Sequence, residues 1–152
     1  MRTFLSIALG SIFLSTSLVS AADRSAQWRE VDDAVSRGLP QTAIERIEPL
    51  IRAALEEKAW GEAAKGIARK IAFEGSIQGN RPEARIPRLA EEIAKAPPEI
   101  VPLLDTVQAL WYWHYFQNNR FRFVQRTQTG EAPGNDFTTW DRRVHRAVGN
   151  WL

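Results

Sequence analysis

The 152-residue sequence contains no cysteine, and this absence excludes several classes of protein. A chain without cysteine forms no disulfide, carries no lipid on an N-terminal cysteine and holds no zinc through thiolates. Its two histidines, His114 and His145, belong to no HExxH sequence, and the GxSxG and P-loop motifs are also missing. We therefore predict no catalytic residue, no metal and no cofactor, and we interpret both histidines as structural.

The chain also lacks a large excess of positive or of negative charge. The chain has 20 lysines and arginines against 18 aspartates and glutamates. Loss of an N-terminal leader that includes Arg2 leaves 19 against 18, a net charge near +1. Binding to nucleic acid requires a clustered basic face. We therefore predict no nucleic-acid partner, and we interpret the adjacent acidic pairs, such as Asp32-Asp33, as solvated helix surface.

Residues 1–22 have the composition of a secretory signal peptide. Arg2 provides a positive start, Phe4–Val19 is apolar, and Ser20-Ala21-Ala22 supplies small residues at a cleavage site. A membrane anchor is the alternative, but the apolar run is shorter than the roughly 20 residues that span a bilayer. We predict a periplasmic or secreted protein whose mature chain, residues 23–152, forms one helical domain without a membrane span.

The spacing of apolar residues predicts an all-α fold. Short loops between the helices favour antiparallel hairpins, and small residues around Gly66 allow close approach of the second and third helices. No 34-residue repeat is present, so we predict an irregular, tetratricopeptide-like array. The apolar stripe of the second helix continues on both sides of Pro49, so we predict that this proline kinks one helix rather than dividing it in two. The predicted helices span residues 25–38, 40–56, 60–73, 83–94 and 98–117, with Ser25 as N-cap, and a further helical pattern covers residues 136–152.

The most unusual stretch is LWYWHYFQNNRFRF, residues 110–123, with seven aromatic rings in fourteen residues. Asn118-Asn119 predicts the end of a helix, and the alternation after it predicts a short extended segment near residues 120–127. A helix with rings on several faces is buried from several directions, which indicates that further protein packs on it. The predicted packing or interface residues are Trp111, Trp113, Tyr115, Phe116, Phe121, Phe123, Trp140 and Trp151.

A set of short motifs resembles a known family. The motifs are a helix led by Trp28 and ending in Gly38-Leu39-Pro40, the loop residue Asn80, the aromatic block, and DFTTWD at Asp136–Asp141. This set is similar to the N-terminal helical segment of bacterial, planctomycete-type α2-macroglobulin-like proteins. The resemblance implies a secreted or periplasmic protein that traps proteases in envelope defence. The family's thioester cysteine has no counterpart here, its bait region and β-sandwich domains have no match, and no functional residue carries over.

These observations favour a non-enzymatic module that acts through protein contacts. Our leading hypothesis is the N-terminal helical part of an α2-macroglobulin-like protease inhibitor, because the last apolar stripe still runs at Trp151-Leu152 and indicates a longer polypeptide. The expected partners are then downstream domains of the same polypeptide and, by resemblance, proteases. The second hypothesis is a free-standing helical adaptor that binds an envelope protein or peptide. A small hydrolase is the third, and Ser76, in a predicted loop, has no identifiable catalytic partner.

Overall fold

The computed structural model describes residues 21–79 and 81–124, and within these residues the fold is all-α, as predicted. Five helices follow one another along the chain. They are α1 (Ala21–Ser36), α2 (Pro40–Glu56), α3 (Trp60–Ile77), α4 (Pro82–Ile93) and α5 (Val101–Val124). None of the helices in this part of the chain combines the length and the apolar character that crossing a membrane requires.

The turn between α1 and α2 forms as the sequence predicts. Gly38 has a φ of 69°, in the left-handed region that glycine enters at little cost. The backbone N–H of Leu39 donates to the carbonyl oxygen of Ala34 at 2.9 Å, which closes the end of α1. Pro40 begins α2 at a position where a helix needs no N–H donor. Pro49 lies inside α2, which continues past it as one helix.

Four predicted boundaries are wrong, and three of these errors lengthen a helix. Ser25 lies inside α1 rather than at its N-cap, and Ser76 lies in α3, where its hydroxyl donates to the Phe73 carbonyl at 2.7 Å. Asn119 does not end α5, and its side-chain amide donates to the Tyr115 carbonyl at 2.9 Å within the helix. The predicted extended segment is therefore helical at residues 120–124, and its remaining residues, 125–127, lie outside the described residues. The fourth error is at the start of α5, which begins at Val101 rather than at residue 98.

Polar contacts join each helix to the next one in sequence. Arg24 at the start of α1 pairs with Glu57 just beyond the end of α2, and Glu30 pairs with Arg46, so these two helices run in opposite directions. Glu48 of α2 pairs with Lys70 of α3, and Glu74 of α3 pairs with Arg88 of α4. The Gln108 side-chain amide of α5 donates to the Ile86 carbonyl of α4 at 3.3 Å.

Two apolar clusters hold the five helices together. The first lies between α1 and α2, and the second joins α2 and α3 to α4 and α5. Ala63 and Ala64 on α3 are buried, and so is Gly66, in agreement with the predicted close approach of α2 and α3. The buried members are Val31, Ala34, Ala43, Ile47 and Leu50 in the first cluster and Ala54, Ala63, Ala64, Ile71, Leu89, Ile100 and Leu104 in the second.

The Glu48–Lys70 pair between α2 and α3 makes a prediction about pH. A hydrogen bond from Lys70 at 2.6 Å, together with its charge, lowers the pKa of Glu48 below its usual value of 4.5. A carboxyl group whose pKa is lower in the folded state stabilises the fold above its unfolded pKa, and this contribution disappears as the pH falls through the folded pKa. We expect the stability difference between the wild type and Glu48→Gln to be constant from about pH 6 to 8 and to shrink below about pH 4.5.

Denaturant unfolding of both proteins across this pH range measures the effect. Glu56→Gln is the matched control, because Glu56 is exposed on the same helix and the described residues pair it with no cation. Its stability difference from the wild type should show less dependence on pH. If the stability differences of the two variants depend on pH in the same way, the Glu48–Lys70 pair is not the source of the effect.

Candidate functional site

One side of α5 is buried against α4. Tyr115 is 7% exposed and forms a small cluster with Ile86, against which Trp111, Tyr112 and Phe116 pack. Burial raises the pKa of the Tyr112 hydroxyl. Three of the predicted packing or interface residues, Trp111, Tyr115 and Phe116, thus lie in or against this cluster. Trp111 also packs on the larger cluster at α2 and α3, so its ring joins the two cores.

A different side of α5 presents large apolar side chains to solvent. Leu103 is 40% exposed, Leu110 47%, Trp113 36% and Phe121 81%. Leu103, Leu110 and Phe121 are separated by 7 and 11 residues and therefore lie along one line on the helix surface. Trp113 lies beside this line, and its ring centre is 5.9 Å from that of Phe116. We name these four residues the α5 stripe.

The charges around the α5 stripe have one sign over most of its length. Residues 106–124 contain no aspartate or glutamate, and Arg120 and Arg122 are exposed near Phe121. His114 is exposed beside Leu110 on the helix surface. Because this part of α5 carries exposed arginines and no acidic side chain, it favours an apolar partner that carries carboxylates.

A cleft lies next to the α5 stripe, between α4 and α5. Its volume is about 240 Å³, and we name it the α4–α5 cleft. Five lining residues come from α5 at helical spacings of three and four, so they share one face, and the sixth comes from α4. No carboxylate lines it among the described residues. The lining residues are Arg85, Trp111, His114, Tyr115, Asn118 and Asn119.

Gly75 of α3 provides the space in which Arg85 lies. A Cβ atom built on Gly75 would lie 2.9 Å from Nε and 3.3 Å from Cγ of Arg85, so a larger residue there would require the Arg85 side chain to shift. The Nε atom is buried at this contact. Arg85 therefore lies against α3 and is also one of the residues that line the α4–α5 cleft.

The other side of α4 has a larger cleft whose charges are already paired. It has a volume of about 360 Å³ and includes Glu74, Arg88 and Glu91. Arg88 pairs with Glu74 at 3.5 Å, with Glu91 at 3.3 Å and with Glu92 at 2.6 Å. Burial tends to lower the pKa of Arg88, but these carboxylates outweigh it and raise the value. This cleft therefore has no net attraction for an anion.

Sequence reasoning missed a polar seam that ties α1 to α3. Glu62 of α3 accepts hydrogen bonds from Arg24 at 2.8 Å and from the Trp28 indole N–H at 2.6 Å. Glu57 and Glu62 both accept from Arg24 and raise its pKa. The Lys65 ammonium lies 4.1 Å from the centre of a Trp28 ring, and the Arg69 guanidinium 5.5 Å. The seam stabilises the position of α1 and leaves its charges paired.

Of the other predicted packing or interface residues, two are exposed and the rest lie outside the described part of the structure. Trp113 and Phe121 lie on the exposed α5 stripe, so α5 is not buried on every side. The side chain of Phe123 and the whole of Trp140 and Trp151 lie outside the described residues. His145 and residues 1–20 lie outside them too, so the leader and the last predicted helix stay predictions.

No group of three potential metal ligands comes together within residues 21–79 and 81–124. No protein-family model, no curated protein and no solved structure matches the chain. The resemblance to α2-macroglobulin-like proteins and the tetratricopeptide-like superhelix therefore stay predictions. The candidate site is the surface of α5 that combines the α5 stripe with the α4–α5 cleft.

Proposed function

We propose that this chain is a non-catalytic, exported helical module that acts by binding another protein segment along α5. The observation that carries the proposal is the α5 stripe, which leaves four large apolar side chains exposed on one helix. Apolar anchors at helical spacing are the surface that an amphipathic partner helix recognises. Because the flanks of Leu110 and Phe121 are free of acidic residues, the expected occupant is an apolar segment with carboxylates at its edges.

The family resemblance supplies the biological setting of this proposal. In the leading version the module is the N-terminal region of an α2-macroglobulin-like protease inhibitor in the periplasm or outside the cell, and α5 contacts a later domain of the same polypeptide. In the second version the module is a free-standing adaptor and α5 contacts a separate envelope protein. The exposed stripe supports both versions, and the identity of the contacted segment distinguishes them.

Photo-crosslinking in the native host tests the contact. A benzophenone amino acid at position 121, where the side chain is 81% exposed, should form one discrete adduct with a protein segment. Leu110→Gln should lower the yield about tenfold, the equivalent of about 1.4 kcal/mol of binding free energy. Glutamine is a good helix former and Leu110 is about half exposed, so the fold should remain intact.

Leu39→Gln is the matched control, because Leu39 is exposed to a similar degree in the turn between α1 and α2. It should leave the yield unchanged. An adduct with a β-rich later domain of the polypeptide supports the inhibitor version, and one with a separate envelope protein supports the adaptor. Equal yields for the two leucine variants, or adducts as diffuse as those from a label at position 41, would refute binding through the α5 stripe.

A further inference from the structure

We infer that α5 also pairs with itself: a second copy of this chain packs its own α5, in antiparallel orientation, against the α5 stripe. The inference goes beyond the proposed function, because it names a second occupant of the same surface, and it rests on the proposed function only in using that surface. Self-pairing is measured on the purified chain, and the contact with another protein is measured in the host. The two proposals can therefore fail independently.

The α5 stripe is nearly symmetric about its middle. Its outer residues, Leu103 and Phe121, lie nine residues before and nine residues after Tyr112. Its inner residues, Leu110 and Trp113, lie two residues before and one residue after the same position. In a twofold dimer, residue i of one copy contacts residue j of the other, and j contacts i. An axis near position 112 therefore brings the outer leucine of each copy to the outer phenylalanine of the other, and the inner leucine to the inner tryptophan.

The charges along α5 favour antiparallel over parallel pairing. Residues 106–119 contain no aspartate, glutamate, lysine or arginine, and the residues that border this range are Asp105 and Arg120. Both are exposed, and their midpoint coincides with the middle of the α5 stripe to within one residue. An antiparallel second copy brings Asp105 of each chain close to Arg120 of the other, whereas a parallel copy brings like charges together. Complementary charges of this kind set the orientation of a pair.

The two charged residues lie on one border of the pairing surface. Asp105, Trp113 and Arg120 follow one another at spacings of eight and seven residues, close to whole helical turns, and so lie on the same side of α5. Leu103 and Phe121 lie on the other side of Trp113. A twofold axis across antiparallel helices brings the same border of each helix together. Each dimer would thus contain two Asp105–Arg120 pairs on one border and the outer apolar contacts on the other.

This side of α5 faces away from the other helices. Leu104 and Tyr115 are buried, and they lie nine residues before and two residues after Trp113. At about 100° per residue, both spacings place them on nearly the opposite side of the helix. A second copy can therefore approach Trp113 without displacing α4.

The size of the surface indicates a weak dimer. The α5 stripe extends about 27 Å along the helix, at 1.5 Å per residue from Leu103 to Phe121. We expect a contact between two such stripes to bury less than the roughly 1,200 Å² at which stable interfaces begin. The corresponding Kd for dimerisation should be on the order of 10–100 μM.

Sedimentation equilibrium of the purified chain tests the pairing through two charge reversals. Asp105→Arg and Arg120→Asp each place like charges together at both ends of the dimer. We expect each variant alone to dimerise at least about tenfold more weakly than the wild type. A one-to-one mixture of the two variants should form heterodimers within about threefold of the wild-type affinity, because every charged pair is then opposite in sign again. A variant that had lost its fold would not recover on mixing.

Glu56→Arg is the matched control, because it makes the same change of charge as Asp105→Arg at an exposed position of α2. It should change the dimerisation constant by less than about threefold, since solvent and salt screen a distant charge.

Three results would overturn self-pairing through α5. They are a wild-type chain that stays monomeric up to about 1 mM, equal weakening by Glu56→Arg and Asp105→Arg, and a mixture of the two reversed variants that forms no heterodimer. A dimer without a discrete adduct to another protein from position 121 supports self-pairing and refutes the contact in the host. A monomeric chain that still forms this adduct has the opposite meaning.

Discussion

Leu104→Ala is expected to lower the free energy of unfolding by about 3–4 kcal/mol, whereas Leu103→Ala should cost less than about 1 kcal/mol. The two leucines are neighbours on α5 and differ in burial. Leu104 is fully buried in the larger cluster, and Leu103 is exposed on the α5 stripe. Alanine at 104 removes most of the side chain and leaves a cavity, because the surrounding helices relax only in part.

Urea unfolding measures this difference, provided that the two variants have the same m value. The pair also separates stability from binding. Leu103→Ala should lower the crosslinking yield at position 121 while the fold stays near wild-type stability. If the two substitutions lower the free energy of unfolding by similar amounts, Leu104 does not face the core more than Leu103 does, and the assignment of the buried face of α5 is wrong.

Gly66→Ala is expected to destabilise the fold by up to about 2 kcal/mol, although alanine forms helices better than glycine. A Cβ atom at position 66 would lie 2.6 Å from Cγ1 of Ile51 on α2. This atom belongs to the branched part of the isoleucine side chain and cannot simply swing away, so α2 and α3 must separate slightly. Overpacking of this kind typically costs 1–3 kcal/mol, which exceeds the gain of about 1 kcal/mol in helix propensity.

The control for this prediction lies in the same helix. A Cβ atom on Gly61 meets no atom of the described structure within 4 Å, so Gly61→Ala should be neutral or stabilising by up to about 1 kcal/mol. In an Ile51→Ala background, Gly66→Ala should become less harmful, because the atom that it meets is gone. Thermal unfolding of this double-mutant cycle tests the contact. If Gly66→Ala stabilises as much as Gly61→Ala, the two helices are not in close contact there.

The order and the approximate bounds of the helices were predictable because they depend on local signals. Gly38 and Pro40 act through backbone geometry that needs no tertiary partner, and the apolar spacing of α2 outweighs Pro49. The end of α5 was not predictable in the same way. Asn119 is compatible with a helix end and with a helix interior, and its local sequence does not distinguish between them. In the structure it lies inside α5, with its amide bonded to the Tyr115 carbonyl.

The candidate site was predictable in part. The aromatic block identified α5, and the spacing of its residues already places Trp111, Tyr115 and Asn118 on one face. Arg85 could not be assigned to this face from the sequence, because its position depends on how α4 lies on α5 and on the space beside Gly75. The polar seam of Arg24, Trp28 and Glu62 was missed for the same reason, since these residues meet only after α1 and α3 are in place.

The packing of each helix on its neighbour in sequence also has a consequence for how quickly this part of the chain folds. Each helix from α1 to α5 packs on the next one in sequence, and α3 also contacts α1 and α5. Contacts between sequence neighbours close short loops, which lose little chain entropy. Domains with such low contact order fold in microseconds to milliseconds. Within residues 21–79 and 81–124, the helices can therefore assemble mainly by successive docking of sequence neighbours.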